Sequence, residues 1–386
     1  MPELDVKAPM ITRPPDPGTG KALSVTGLRK TYGGVTAVDE VSMEIAAGEF
    51  VTFLGSSGSG KTTTLMMIAG FCEPDSGSIV VGGRDVTRLA PQKRGLGFVF
   101  QQYLLFPHMT VWDNVAFPLQ LRGTPKAELR RRVGETLEMA GLSGMTRRRP
   151  RELSGGQQQR VALCRALVYR PPVILMDEPL GALDKKLRDQ LQTEIKRIQR
   201  ELGLTVIYVT HDQEEALVLS DRIAVMRDGR IDQFDTPREL FEVPRTPFVA
   251  DFLGAANFLA GSVEERTVEH TRVRLDTGGL LTARPLAHGD GGRVRAAVQP
   301  GRIGLCPADT GFCTGTVETV TYVGTLVRVT VRPVGGADTD VVRLELPAGR
   351  APAAGERVGL TAEFADVSVF PDTEDASGFP DAEHRE

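Results

Sequence analysis

The chain has 386 residues, 41% of them hydrophobic and 25% charged, with a formal net charge of −4. That length accommodates one large domain and a smaller one, and the slightly acidic balance argues against the basic footprint of a nucleic-acid-binding protein. No window approaches the ~18 consecutive apolar residues of a membrane-spanning helix, so any membrane contact would come through partners.

The N-terminal stretch MPELDVKAPMITRPPDPGTG has no apolar core and does not read as a secretory signal. Its prolines at 2, 9, 14, 15 and 17 predict a disordered leader over residues 1–22. The four cysteines, Cys72, Cys164, Cys306 and Cys313, lack metal-ligand spacing and read as reduced thiols of a cytosolic protein.

From 23 to 255 the pattern alternates strands with helices. Leu23–Val25 and Val41–Ile45 read as short strands, and Phe50–Leu54 as a buried strand leading through a Gly-rich turn into a helix over Lys61–Ala69. Further apolar runs, Gly97–Phe100, Val173–Met176 and Val206–Val209, are short and bounded by polar turns, as buried parallel strands are. Between 103 and 166 the spacing turns helical, which predicts a helical subdomain. Its arginine triplets, 130–132 and 147–149, read as solvated surface in an acidic chain. The stretch LLFPHMTVWDNVAFPL (104–119) holds the only Trp, and reads either as core of that subdomain or as a docking patch. After residue 255, short runs of alternating apolar and polar residues (Val268–Leu275, Val294–Val298, Thr314–Thr330, Val341–Leu346, Val358–Phe364) sit between Gly/Pro turns. They predict a small antiparallel barrel or sandwich over 256–371. The acidic stretch 372–386 reads as a disordered tail.

Chemistry concentrates at strand ends. Gly55, Ser56, Ser57, Gly58, Ser59, Gly60, Lys61 and Thr62 fit G-x-x-x-x-G-K-[ST] between an apolar strand and a helix, the context in which backbone N–H groups wrap phosphates. Lys61 would reach the β- and γ-phosphates of a nucleoside triphosphate, the Thr62 hydroxyl would bind Mg²⁺, and Thr63 follows in the same nucleotide-binding turn. VILMDE (173–178) ends an apolar strand in two carboxylates. Asp177 is placed for the Mg²⁺ shell and Glu178 for polarising the attacking water as general base. His211 follows the strand TVIYVT (205–210), and ligands of open α/β sheets gather outside the carboxyl ends of strands; it reads as a γ-phosphate sensor. Gln101, at the end of the 97–100 strand, would reach Mg²⁺ or the attacking water, although spacing does not separate it from Gln102. Tyr32, in the loop after the first strand, is a candidate for stacking on adenine. Finally, in LSGGQQQR (153–160), Ser154 is placed to cap a helix with free N–H groups, and Gly155 and Gly156 would admit a ligand to the main chain.

With the P-loop, Gln101, LSGGQ, Asp177-Glu178, Leu183-Asp184 and His211 in this order, the chain resembles the ATP-binding cassette (ABC) ATPases. The resemblance runs from about Leu23 to Phe370. It implies an α/β P-loop NTPase core with a helical subdomain, followed by an all-β, OB-like TOBE barrel. It further implies that Tyr32 stacks on adenine, that Gln101 couples the site to membrane subunits, and that Ser154, Gly155, Gly156 and Gln157 form the signature. Asp184 lies in the loop that communicates across a homodimer, and His211 is the switch histidine. The signature would then close over nucleotide held by the other copy.

A narrower resemblance is to ATPases of bacterial importers. VQPGRI (298–303) looks like their VRPE-type strand, with Gln299 and Gly301 in place of the usual Arg and Glu. TTTLMMIAGF (62–71), VFQQYLLFPHMTVWDNVAFPL (99–119) and EPLGALDKKLRDQLQTEIKRIQ (178–199) look most like polyamine (spermidine/putrescine) importer ATPases, with ferric-iron, sugar and phosphonate importers closely similar. Implied partners are two transmembrane permease subunits, a second copy of the chain and, indirectly, a solute-binding protein. The implied location is the cytoplasmic side of the bacterial inner membrane, held peripherally. A soluble P-loop kinase or GTPase has no use for LSGGQ. Soluble ABC proteins of repair or translation carry long coiled coils or two cassettes, and neither feature is in this sequence.

Overall fold

In the computed structural model, residues 20–181, 183–286, 292–336 and 341–372 are described. The expected leader and acidic tail fall outside them apart from residues 20–22 and 372. Gly20 N–H donates to Gly203 O and Lys21 N–H to Pro172 O, both at 3.1 Å, so the chain is tied down from residue 20. The molecule divides into two compact units, with the division between Phe234 and Asp235.

The centre of the first unit is a six-stranded sheet. Its order is Arg230–Asp235, Arg222–Arg227, Phe50–Leu54, Thr205–Thr210, Val173–Asp177, Gly97–Val99. Phe50–Leu54, Val173–Asp177 and Thr205–Thr210 are buried at every residue, which is why FVTFL, VILMD and TVIYVT are continuous runs rather than alternating ones. Their pairings are parallel, and the register sets Leu54 opposite Thr210 and Asp177 opposite Val209, with Val99 opposite Met176. The carboxyl ends of four neighbouring strands therefore share one edge. On one flank lies the helix Lys185–Leu202, whose Leu191, Ile195 and Ile198 are buried at helical spacing.

The sequence reading underestimated the first two strands and missed the sheet they belong to. Leu23–Tyr32 and Val35–Ile45 form one long antiparallel hairpin that turns at Gly33-Gly34, where φ is +55° and +89°. Register shifts along that hairpin blur the apolar alternation. Ser76–Val81 and Arg84–Asp85 complete this second, four-stranded sheet. Tyr32 accordingly ends a strand rather than sitting in a loop. Over 103–166 the described elements are helical: Val111–Leu121, Lys126–Met139, Gly155–Leu167 and two short 3₁₀ turns. The first starts with a reciprocal capping box between Thr110 and Asp113.

The second unit begins with the helices Pro237–Glu242 and Pro247–Gly254, which the expected boundary at 255/256 assigned to the first. They belong here because they pack here. Ala250 shares a small core with Ala256, Ala297 and Phe370, Gln299 Nε2 donates to Phe241 O, and Arg284 donates to Glu242 O. Beyond them, two five-stranded antiparallel sheets enclose a single apolar core. Thr314–Thr330, read as one run, folds as the two strands Cys313–Val323 and Leu326–Pro333, turning at Gly324 with φ +65°.

Candidate active site

In the loop between Phe50–Leu54 and Lys61–Ala69, Gly55 and Gly60 have no space for a side chain. A Cβ on Gly55 would lie 2.3 Å from Met226 O of the neighbouring strand; one on Gly60, at φ +96°, would lie 2.5 Å from Ala37 O. Gly60 is also the N-cap of the helix, which has no side-chain cap and no acidic residue in its first turn. Its leading N–H groups and the positive end of its dipole thus remain available to an anion. Ser56, Ser57, Gly58 and Thr62 are exposed, Thr63 is half-buried, and Ser59 and Lys61 are buried. The Lys61 ammonium donates to Gly55 O (2.9 Å), Ser56 O (2.7 Å) and Ser59 Oγ (3.3 Å), holding the loop in a cradle.

At the next strand end the Thr62 hydroxyl donates to Asp177 Oδ1 at 3.1 Å. Burial pushes the Asp177 carboxyl pKa up, opposed by that hydroxyl and by Lys61. Burial also pushes the Lys61 ammonium down, opposed by the charges of Glu178 and Asp177. Each buried charge is thus only partly compensated by the protein itself. The Thr62 hydroxyl and the Asp177 carboxylate together form an oxygen donor set of the kind suited to a hard cation.

Glu178 extends the ladder by one step, its N–H donating to Val209 O at 3.0 Å. Its φ of +41° then turns the chain out of the strand. In that posture its carboxylate collects two neighbours. Gln101 Nε2 donates to Oε2 at 3.2 Å, and His211 Nδ1 stands 3.2 Å from Oε1. Of the two glutamines that sequence spacing left open, Gln101 is the one on Glu178.

Other expected residues lie apart from this cluster. Tyr32 is half-exposed. Its ring sits 5.5 Å from the Lys30 ammonium, and the Cys72 thiol beside its hydroxyl pushes the phenol pKa up. Asp184 caps its own helix, accepting from Leu187 N–H at 3.0 Å. Ser154 does cap the helix Gly155–Leu167. It accepts from Gln157 N–H at 3.4 Å, while Gln157 Oε1 accepts from Ser154 N–H at 3.0 Å. Ser154 and Gly155 are exposed, but Gly156 is buried, and a Cβ there would press to 2.9 Å from Leu187. Only the first of the two glycines is open to an approaching group; the second serves helix packing.

Sequence reasoning passed over two groups in this frame. Arg94, buried, donates to Met67 O (2.7 Å) and Ile68 O (2.8 Å), as well as to Thr87 O and Leu89 O, and so closes the far end of the P-loop helix. Glu215, also buried, accepts from the Tyr208 and Thr210 hydroxyls, both at 2.8 Å, beneath the His211 segment. The D-x-x-E spacing of Asp212 and Glu215 was a legible capping signal for the second; nothing local marks the first.

The ABC transporter family profile matches residues 38–181 and the TOBE domain profile residues 293–370. The spermidine/putrescine import ATP-binding protein of Thermobifida fusca is 51% identical over 83% of this chain and 85% of its own length. That of Rubrobacter xylanophilus is 50% identical over 83% and 86%. The Fe(3+) ions import ATP-binding protein of Rhizobium etli is 49% identical over 77% and 84%. Among solved structures, a dimeric ATP-binding cassette in a post-hydrolysis state with ADP and phosphate is 36% identical, covering 56% of this chain and 99% of its own, with a TM-score of 0.50. A component of an ABC transporter complex from Clostridium perfringens is 31% identical, covering 56% and 89%, with a TM-score of 0.54. By this similarity, and by a P-loop, paired strand-end acids and a capped signature helix in one fold, the chain belongs to the ATP-binding subunits of ABC transporters, ATPases that couple nucleotide hydrolysis to transport.

Proposed function

We propose that this ATPase drives uptake of polyamines, spermidine or putrescine, into a bacterial cell, working as two identical copies beneath two permease subunits. The observation that carries the site reading is Glu178, held between Gln101 and His211 beside the Thr62–Asp177 pair. Gly55–Gly60, Lys61, Thr62 and Thr63 take the phosphates of ATP, and Tyr32 stacks on the adenine. Thr62 and Asp177, with Gln101, would hold Mg²⁺, which when bound neutralises phosphate charge. Glu178 accepts the proton of the attacking water, and His211 holds that carboxylate and the γ-phosphate in register.

The exposed Ser154–Gly155 end of the signature helix, with Gln157, meets nucleotide bound to the other copy. Asp184 lies in the loop facing that copy. No helix among the described residues is long and apolar enough to cross a membrane, which suits a subunit held at the cytoplasmic face by its permeases. A solute-binding protein would deliver the cargo from outside. The polyamine assignment follows the names of the relatives; the ferric-iron relative at 49% identity supports ferric iron as a second reading of the cargo.

Replacing Glu178 by Gln tests the site. Turnover should fall by roughly 10²–10⁴, as for loss of a general base, with ATP binding retained and an ATP-trapped dimer visible by light scattering. Near-normal turnover removes Glu178 from the role. For the cargo, vesicles holding the complete transporter should accumulate spermidine at the expense of ATP. Accumulation of ferric iron instead transfers the assignment to the second reading.

A further inference from the structure

The segment after Glu178 and the segment carrying His211 are joined by a side chain with no place in the mechanism above. Arg188 lies one turn into the helix Lys185–Leu202, and its side chain is only 27% exposed. Its guanidinium reaches three groups. Nη1 donates to Asp212 Oδ2 at 2.7 Å, and Nη2 donates to the main-chain oxygen of Leu183 at 3.2 Å. Nε faces Glu215 Oε1 at 3.6 Å. The planar fork of Arg suits such a junction; the point charge of Lys does not.

These contacts close a ring. Glu178 meets His211 across 3.2 Å. Asp212, the next residue, is fixed by accepting from Glu215 N–H at 3.1 Å and by donating its own N–H to Thr210 Oγ1 at 3.0 Å. Arg188 ties Asp212 to Leu183, and two main-chain bonds lie on the way back to Glu178, Gly181 N–H donating to Glu178 O and Leu183 N–H to Leu180 O. Leu183 also adjoins Asp184, the helix cap that faces the second copy in the reading above. We propose that Arg188 is a positioning residue: it locks the 178–184 loop to the His211 segment, fixing Glu178 against His211 and passing displacement of the Asp184 loop to that pair. This rests on the reading of Glu178 and His211 as reaction groups.

The test uses the full chain and steady-state hydrolysis of ATP. Arg188→Ala should lower kcat by about 10- to 100-fold, the scale of a misplaced reacting group, with KM and binding of a fluorescent ATP analogue within about threefold. Arg188→Lys should recover only part of the loss. Because Arg188 acts through His211, the loss should nearly vanish when Arg188→Ala is made on a His211→Ala background, whereas a general structural defect would add in full. Full additivity, or an unchanged kcat in Arg188→Ala, overturns the proposal. Should Arg188→Ala not fold, Arg188→Lys and Asp212→Asn carry the same cycle with the same criteria. Glu178→Gln run in parallel separates the two layers: if it retains turnover, the site reading fails, and if it alone is crippled, only the role of Arg188 fails.

Discussion

The two units treat buried charge in opposite ways. Among the described residues four charged side chains are buried, Lys61, Arg94, Asp177 and Glu215, and all belong to the first unit. Among the described residues of the second unit, the buried polar side chains are Asn257 and Thr271, both neutral and both with main-chain partners. Removing a charge from water costs several kcal/mol even when it is partnered, so a fold keeps such groups where something beyond stability requires them. Lys61 holds the P-loop carbonyls and Asp177 accepts from Thr62 beside them, at the proposed nucleotide site. Arg94 and Glu215 stand behind it, one closing the P-loop helix and the other supporting the His211 segment. The contrast separates a unit built around a charged ligand from one built as an apolar enclosure.

The largest expected effect breaks the contrast if it fails. Lys61→Met should reduce turnover by about 10²–10³, as loss of a phosphate clamp does, while the thermal midpoint changes little, because the burial cost disappears along with the hydrogen bonds. Parallel collapse of activity and midpoint would mean that the charge serves the fold instead. In the second unit, Leu344→Ala opens a cavity in the apolar core and should destabilise that unit by about 2–5 kcal/mol. Chemical denaturation should show it, with KM for ATP unchanged. A somewhat smaller effect is expected from Arg94→Met. It takes the Arg94 donor from the carbonyls of Ile68, Thr87 and Leu89, while Met67 O keeps the Gly70 N–H, and should cost about 2–4 kcal/mol of first-unit stability, with kcat per folded molecule retained. A fall in kcat at constant stability would move Arg94 from the frame into the site.

Much of the first unit was legible because its signals are short-range. FVTFL, VILMD and TVIYVT announce central parallel strands by composition alone, and the P-loop helix could be delimited at Lys61–Ala69 from its glycine and its apolar run. Where the register slips or a pairing is distant, the sequence is silent. The hairpin from Leu23 to Ile45 has three register shifts, and its partner Ser76–Val81 lies beyond the P-loop helix. At the site, the strand-end acids, Gln101 and His211 follow from topology, since parallel strands deliver their ends to one edge. The Arg188 fork and the Arg94 closure do not follow, because each joins segments whose meeting depends on tertiary packing. Gly156 shows the reverse case. Its neighbourhood suggested a ligand, but its position is set by Leu187.

The smallest effect concerns the thiols and resolves the two units separately. Cys164, buried in the helical region, has its thiol pKa pushed up to about 12 by burial, and burial likewise raises that of Cys313 in the second unit. Burial penalises the thiolate, and the thiolate is the reactive form, so at mildly alkaline pH these two should resist a thiol reagent while half-buried Cys72 and Cys306 react. Titration of the native chain should therefore count two thiols, against four in denaturant. Each protected thiol then reports on its own surroundings. Leu344→Ala should bring Cys313 labelling to lower denaturant and leave Cys164 where it was; Arg94→Met should do the opposite. If both thiols open together in both variants, the two units unfold as one, and the difference in how they bury charge has no counterpart in their stability.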